Sequence, residues 1–456
     1  MASDPTQEPA TQHEPSKGTL RRAITASALG NATEWYDYGI FAVLVLYIES
    51  ALFPEGENAI GWVLAAFAVS FLARPFGGLV WGPLGDRIGR RAVLSLTIIM
   101  MSVATFCIGL IPTFDAIGVG APALLFFMRL VQGFSTGGEY GGAATFMAEY
   151  SPDRKRGFYG SFLEFGTLGG YALGSLIALG LLVLLGEDTM YAWGWRLPFL
   201  VAGPMGLIGF YLRLKLEDTP VFREAEEKSL KEDKARTQFK DLVVGYWPQM
   251  AQLFGLVVAL NVINYTLLAY MPTYVQEEIN MGAREALVLV SVGQLVMMAF
   301  VPFCGSLSDR IGRKPMWYAS LIGMIVLAIP MYTLMAQGFI WAVVAFIVLG
   351  LVYVLQLSTI SSTFPALFPT PVRFAGFAIT YNVATSLLGG TAPNVNNFFI
   401  GETGNNIFPA YYMMASCVVG LIAIYFVTET AGKSIRGSYC PGTPESEREL
   451  AEMAKE

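Results

Sequence analysis

The sequence predicts an all-α membrane protein: twelve transmembrane helices in two pseudo-symmetric six-helix bundles. Two observations carry that expectation. The run GPLGDRIGRR at residues 82–91 returns as GSLSDRIGRK at residues 305–314, identical at seven of ten positions and displaced by 223 residues in a chain of 456. One charged turn thus occupies the same place in each half, flanked each time by long apolar runs, which marks a duplicated membrane protein. The composition agrees, with 54% hydrophobic and 14% charged residues and a mean hydropathy of +0.52, against about 25% charged in soluble domains.

A crossing helix needs about 20 apolar residues. The candidates in the first half are 23–52, 60–82, 92–111, 120–148, 158–185 and 197–212. Those in the second half are 247–274, 286–307, 316–335, 340–364, 374–400 and 408–427. The boundaries follow: a tail at 1–22, a bundle at 23–213, a polar linker at 214–246, a second bundle at 247–428 and a tail at 429–456. Glycine is frequent, with 48 residues, as close packing of membrane helices requires.

Lys and Arg set the orientation. They gather in the first tail (Lys17, Arg21, Arg22), the alternate turns (Arg87, Arg90, Arg91; Arg154, Lys155, Arg156; Arg310, Arg313, Lys314), the linker and the last tail (Lys433, Arg436). The opposite turns carry Glu55, Glu57, Asp115, Glu187, Asp188, Glu277, Glu278 and Glu402, and Arg196 and Arg284 break the pattern. Both termini are therefore expected in the cytoplasm. The first 20 residues are polar with no apolar stretch, so no cleaved signal peptide is expected.

Several classes are excluded. The net charge of −6 says little, because the charges are segregated by side, and nothing basic and exposed suggests nucleic acid. Cys107, Cys304, Cys417 and Cys440 form no CxxC pair and His13 is the single histidine, so neither a metal site, a disulfide framework nor a cofactor is expected. There is no HExxH, nucleophile elbow or Walker loop, which argues against an enzyme.

An ionisable residue inside the bilayer is costly, by roughly 2.5–3.5 kcal/mol on insertion scales, and is a functional candidate by default. Six qualify: Glu34, Asp37, Arg74, Arg129, Glu139 and Glu164, all in the first half. Counting from the cytoplasmic ends at 1.5 Å per residue puts Glu34, Arg74, Glu139 and Glu164 roughly 10–17 Å deep, level enough to meet, with Arg129 nearer the outside at roughly 30 Å. Asn31, Glu34 and Asp37 are three apart and share one slowly turning face. Two acids on one face repel unless one holds a proton. With no histidine in the membrane, carboxylates must carry the proton if the chain is proton-coupled, and the candidates are Glu34, Asp37, Glu139 and Glu164. The alternative for these charges, Arg74 and Glu164 above all, is buried ion pairs that hold helices together. Aromatic faces attract cations, and Trp35, Tyr36 and Tyr38 flank the acids. Asn264 and Tyr265 in NVINYTLLAY and Tyr381 and Asn382 in ITYNVATS lie in the second half as further candidate substrate contacts. Arg74 and Arg129 are candidates to hold an anionic group of a ligand by a bidentate contact.

The repeated GxLxDRxGRR/K turn, the weaker pairs SPDRKRG/PTPVRFAG (151–157, 369–376) and EDTPVF/TETAGK (217–222, 428–433), and the six-plus-six plan resemble the major facilitator superfamily. Within it, GNATEWYDYG (30–39), RPFGG (74–78), RLVQGFSTGGEYGG (129–142) and WGWRLPF (193–199) are similar to the metabolite:proton symporter family. RRAITASALGN, TFCIGLIP, EYSPDRKRGF and YMPTYV resemble its ProP-type proline/glycine betaine–proton symporters, over nearly the whole chain. The tail departs, being too short for the coiled coil that some members carry. The resemblance implies alternating access, gates at the repeated turns through Asp86, Arg87, Arg90, Asp309, Arg310 and Arg313, and import of a zwitterionic osmolyte with protons across a bacterial inner membrane. The implied partners are a small-molecule substrate, protons and the lipid bilayer, and the expected state is a monomer. The alternatives are a proton symporter of an organic acid and a membrane sensor that has lost transport.

Overall fold

The computed structural model describes residues 17–54, 56, 58–88, 90–137, 139–217 and 244–453. The linker from 218 to 243 and the side chains of Asp86, Arg87, Arg90 and Glu139 lie outside what is described. The described residues form helices and no strand.

In the first half, α1 (Lys17–Val43) bends by 64° at Leu44 into α2 (Val45–Leu52). Then come α3 (Ala59–Ile88), α4 (Arg90–Ile108), the broken pair α5 (Gly120–Ser135) and α6 (Glu139–Tyr150), α7 (Arg156–Leu185) and α8 (Arg196–Glu217). The second half begins with α9 (Trp247–Asn264), which widens to a π-helical turn at Tyr265–Tyr270 before α10 (Met271–Glu277). It continues with α11 (Ala283–Ile311), α12 (Arg313–Met335) and α13 (Phe339–Leu357). Next is α14 (Arg373–Ala384), joined through a second π-helical turn at Thr385–Gly389 to α15 (Ala392–Thr403), and then α16 (Phe408–Phe426). A short α17 (Pro444–Met453) closes the chain.

Among the described residues seven helices are long and apolar enough to cross a membrane, eight with the bent α1–α2 pair. The other crossings are short or interrupted: α4, α5–α6, α8 and α14–α15. Breaks of this kind are tolerated in a bundle because neighbouring helices re-satisfy the backbone, and π turns often mark functional positions.

Glycine sets how closely the helices cross. A Cβ on Gly133 of α5 would stand 1.7 Å from the Ser70 carbonyl oxygen of α3, and one on Gly77 2.0 Å from that of Phe134. The RPFGG and QGFSTGG runs are thus the two sides of one backbone contact, the small-residue packing that membrane helices use in place of a hydrophobic drive. On the other side α7 packs lengthwise on α1 within its own half and on α11 across the halves.

The seam between the halves is closed at several depths. Arg373 of α14 pairs with Glu149 of α6 at 2.7 Å. Further along, Asn382 donates to the Gly137 carbonyl (3.3 Å), Ser386 to that of Phe71 (2.6 Å) and Asn394 to that of Gly61 (2.8 Å). On the far side Ser175 of α7 donates to Gln294 of α11 at 2.8 Å.

Candidate functional site

An aromatic box straddles the seam. The Trp35 ring lies 5.5 Å from those of Tyr38 and Tyr171 and 6.4 Å from that of Tyr265. Phe71 completes it, 5.1 Å from Tyr38 and 4.9 Å edge-on from Tyr265. Four of the five rings come from α1, α3 and α7, and Tyr265 comes from the π turn of the second half. Arg74 sits one helical turn from Phe71, with its guanidinium carbon 4.6 Å from the Phe71 ring and 5.0 Å from the Tyr38 ring. Its Nη2 is 3.7 Å from Glu34 Oε1, an ion pair too long for a hydrogen bond.

Five buried donors in this cluster have no hydrogen-bond partner: Trp35 Nε1, Arg74 Nε and Nη2, and the hydroxyls of Tyr171 and Tyr265. Each buried group left unpaired costs about 1–3 kcal/mol. All five are able to donate, so the group that satisfies them is rich in acceptors; an ionised carboxylate offers about four lone-pair sites. Arg74 already lies over the Phe71 and Tyr38 rings, and the Trp35 ring beside them suits a further cation. The box therefore has the chemistry of a site for a small molecule carrying both charges.

Asp37, Arg129 and Glu164 are engaged within the first half. Asp37 Oδ2 accepts from the Thr105 hydroxyl of α4 at 2.8 Å. Thr105 accepts from Gln132 Nε2 at 2.6 Å, and Gln132 Oε1 accepts from Arg129 Nη1 at 2.8 Å. Arg129 also donates to Ser70 (3.0 Å) and the Ala66 carbonyl (3.5 Å), and lies 4.2 Å over the Phe41 ring. Each of its three guanidinium nitrogens thus has an acceptor, whereas Arg74 Nε and Nη2 have none. Glu164 of α7 accepts from the Tyr140 hydroxyl at 2.5 Å, and Tyr140 stacks on Tyr381 across the seam at 4.7 Å.

Asn31 donates to the Leu163 carbonyl (2.8 Å) and Thr167 (2.7 Å), tying α1 to α7. The Tyr36 hydroxyl donates to the Pro198 carbonyl at 2.8 Å, and Asn264 accepts from Tyr353 at 2.8 Å. Asn382 bridges to Gly137 as above. These residues join helices, and the structure brings Trp35, Tyr38, Arg74, Glu34 and Tyr265 together without them. Phe71 and Tyr171 were missed by sequence reasoning. The signal for Phe71 was its i, i+3 spacing to Arg74, which puts both on one helix face.

At the end of the bundle that bears the chain ends, Asp309 reaches across the seam. Its two carboxylate oxygens accept from the backbone N–H groups of Gly157 and Phe158 at 2.8 Å each, the free amides of the first turn of α7. Arg313 pairs with the same carboxylate at 2.6 Å and also bonds Ser308. Arg310 is exposed.

The family model described as Major Facilitator Superfamily matches residues 27–393. A glycine betaine/proline/ectoine/pipecolic acid transporter of Dickeya dadantii is 42% identical over 431 residues, covering 92% of this chain and 86% of the relative. A proline/betaine transporter of Escherichia coli is 41% identical with the same coverage. An ectoine/proline transporter of Corynebacterium glutamicum is 40% identical over 453 residues, 96% of this chain and 89% of its own. Among solved structures, the proton:xylose symporter XylE bound to 6-bromo-6-deoxy-D-glucose superposes with a TM-score of 0.71 at 18% identity, covering 92% of this chain and 98% of that one.

Proposed function

The chain belongs to the major facilitator superfamily, a multi-pass membrane transporter, and on that premise we propose that it imports a zwitterionic osmolyte of the betaine, proline or ectoine type together with protons. The five unpartnered donors set among aromatic faces at the seam carry this reading. In it, the substrate carboxylate takes the donors of Arg74, Trp35, Tyr171 and Tyr265, and the ammonium lies against the Trp35 ring at the edge of the box. Glu34 and Asp37 are the first proton acceptors, Glu34 because it faces Arg74, with Glu139 and Glu164 further along the path. Asn31, Tyr36, Arg129, Asn264, Tyr381 and Asn382 hold the walls of the site. Residues 23–213 and 247–428 rock as two bodies about it. Asp309 with Arg313, and Asp86 with Arg87 and Arg90 by repeat symmetry, close the face that bears the chain ends. The Lys and Arg distribution supports a cytoplasmic position for that face, in a monomer within a bacterial inner membrane.

An organic-acid symporter is the second reading. A dicarboxylate has no cation for the ring faces, so the box favours the zwitterion. Counterflow in proteoliposomes with labelled glycine betaine, proline, ectoine and α-ketoglutarate separates the two. Exchange of α-ketoglutarate without any of the zwitterions would reverse the assignment.

A further inference from the structure

After α16 the chain turns back under the seam instead of leaving the bundle. Glu429 accepts from the backbone N–H groups of Arg313 (3.0 Å) and Lys314 (2.9 Å), capping α12 and fixing the tail to the second half. Residues 433–437 then run beneath both halves. The Ile435 carbonyl accepts from the Arg373 guanidinium and from Thr370 Oγ1, and the Gly437 carbonyl from the Thr370 N–H at 3.2 Å. On the first-half side, Arg156 of α7 donates to the Lys433 carbonyl at 3.1 Å. The Ile435 side chain is 3% exposed and packs with Ala148 of the first half and Ala366 of the second. The crossing is stiffened from below by α17, whose Glu447 pairs with Lys433 at 2.8 Å and whose Glu449 accepts from the Ser438 N–H at 2.9 Å.

The attachments are unequal. The tail is covalently part of the second half and is bonded to it through Glu429, Thr370 and Arg373. Among the described contacts it meets the first half through Arg156 and Ala148. If the halves part at this face, the tail follows the second half and those two contacts break. We propose that residues 433–437 are a strap that locks this face shut, riding with the second half and releasing Arg156 and Ala148 once in every transport cycle. The strap works beside the Asp309 contact and the Glu149–Arg373 pair, and adds to them a buried apolar anchor.

Paired cysteines test this, in full-length protein with Cys107, Cys304, Cys417 and Cys440 replaced by serine. One variant carries Ala148→Cys with Ile435→Cys, joining strap to first half. The other carries Ala366→Cys with Ile435→Cys, joining strap to second half. Both use the same strap residue, and both are assayed for proteoliposome uptake reduced, oxidised and re-reduced. Oxidation of the first pair is expected to abolish uptake, with recovery on reduction, while the second pair transports in either state. Loss of uptake in both, in neither, or in the second alone overturns the strap. So does failure of either pair to crosslink, which would contradict the seating of Ile435.

Discussion

Substituting Asp309→Asn weakens the closure at one definable place. The carboxylate makes two cross-seam bonds of 2.8 Å, to the Gly157 and Phe158 amides. Asparagine keeps one acceptor oxygen, so one of the two is lost. A hydrogen bond to a charged group is worth about 1.5–3 kcal/mol, and removing the charge from the start of α7 costs about 0.3–1 kcal/mol more. Water recovers part of this in the open state. A net cost near 2 kcal/mol to the closed face corresponds to roughly a 30-fold shift towards opening, at about 1.4 kcal/mol per decade. The readout is a cysteine at Ser161, which is buried where α7 meets Gly305 across the seam. In Ser161→Cys protein a hydrophilic maleimide reacts only when this face opens, so its labelling rate should rise by about the same factor. Uptake should slow, because the return to the closed state becomes harder, and substrate affinity should change little, because the box is elsewhere. Unchanged labelling with a large loss of uptake would refute the reasoning and give Asp309 some other task.

Three further outcomes follow from the geometry. Arg74→Ala should abolish betaine binding yet leave or improve binding of tetramethylammonium, since the substitution removes the carboxylate anchor and clears a cation from the rings; equal loss of both ligands in isothermal titration would deny the division of labour. Gly133→Ala places a Cβ 1.7 Å from the Ser70 carbonyl oxygen. The helices must part at a cost of about 1–3 kcal/mol or more, and a melting temperature equal to the parent's would contradict the crossing. Tyr140→Phe removes the hydroxyl on Glu164 but keeps the ring stacked on Tyr381. It should alter the pH dependence of uptake more than its maximal rate, and an unshifted pH profile would exclude Glu164 from the proton path.

Much of the architecture could be read in the sequence because membrane physics writes it there. The doubled DRIGR turn, the long apolar runs and the clustering of charge in the first half each express one constraint, the cost of polar groups in lipid. The site was only partly legible. Asn31, Glu34 and Asp37 share a face on paper, but each step of three residues turns the helix by about 60°. They therefore meet three different neighbours: α7 through Leu163 and Thr167, α3 through Arg74, and α4 through Thr105. Arg74 and Arg129 look alike in sequence, and their difference comes from Gln132 and Ser70, which satisfy Arg129 alone. The strap was not legible, since what Arg156 and Arg373 bind there is backbone carbonyl, which any residue supplies.

The distribution of charge also bears on how proton and substrate are coupled. All six ionisable groups in mid-span belong to the first half, and the second half contributes neutral groups such as Tyr265, Tyr381 and Asn264. On the proposed reading, proton and substrate carboxylate meet at Arg74, within the first half. Glu34 lies 3.7 Å from Arg74, and the proposed substrate carboxylate seeks the same guanidinium. Two anions around one cation, away from water, repel strongly, so a carboxylate enters more readily once Glu34 is protonated. By linkage the substrate in turn favours the proton on Glu34. Two ligands that each improve the other's binding are what a symporter requires, since neither crosses well alone. Equilibrium affinity for the zwitterion should then rise as pH falls. In Glu34→Gln, which mimics the protonated acid, affinity should be high at every pH, and net accumulation driven by a pH gradient should be lost while exchange persists. An undiminished pH dependence of binding in Glu34→Gln would move the coupling to Asp37 or to the Glu164 pair.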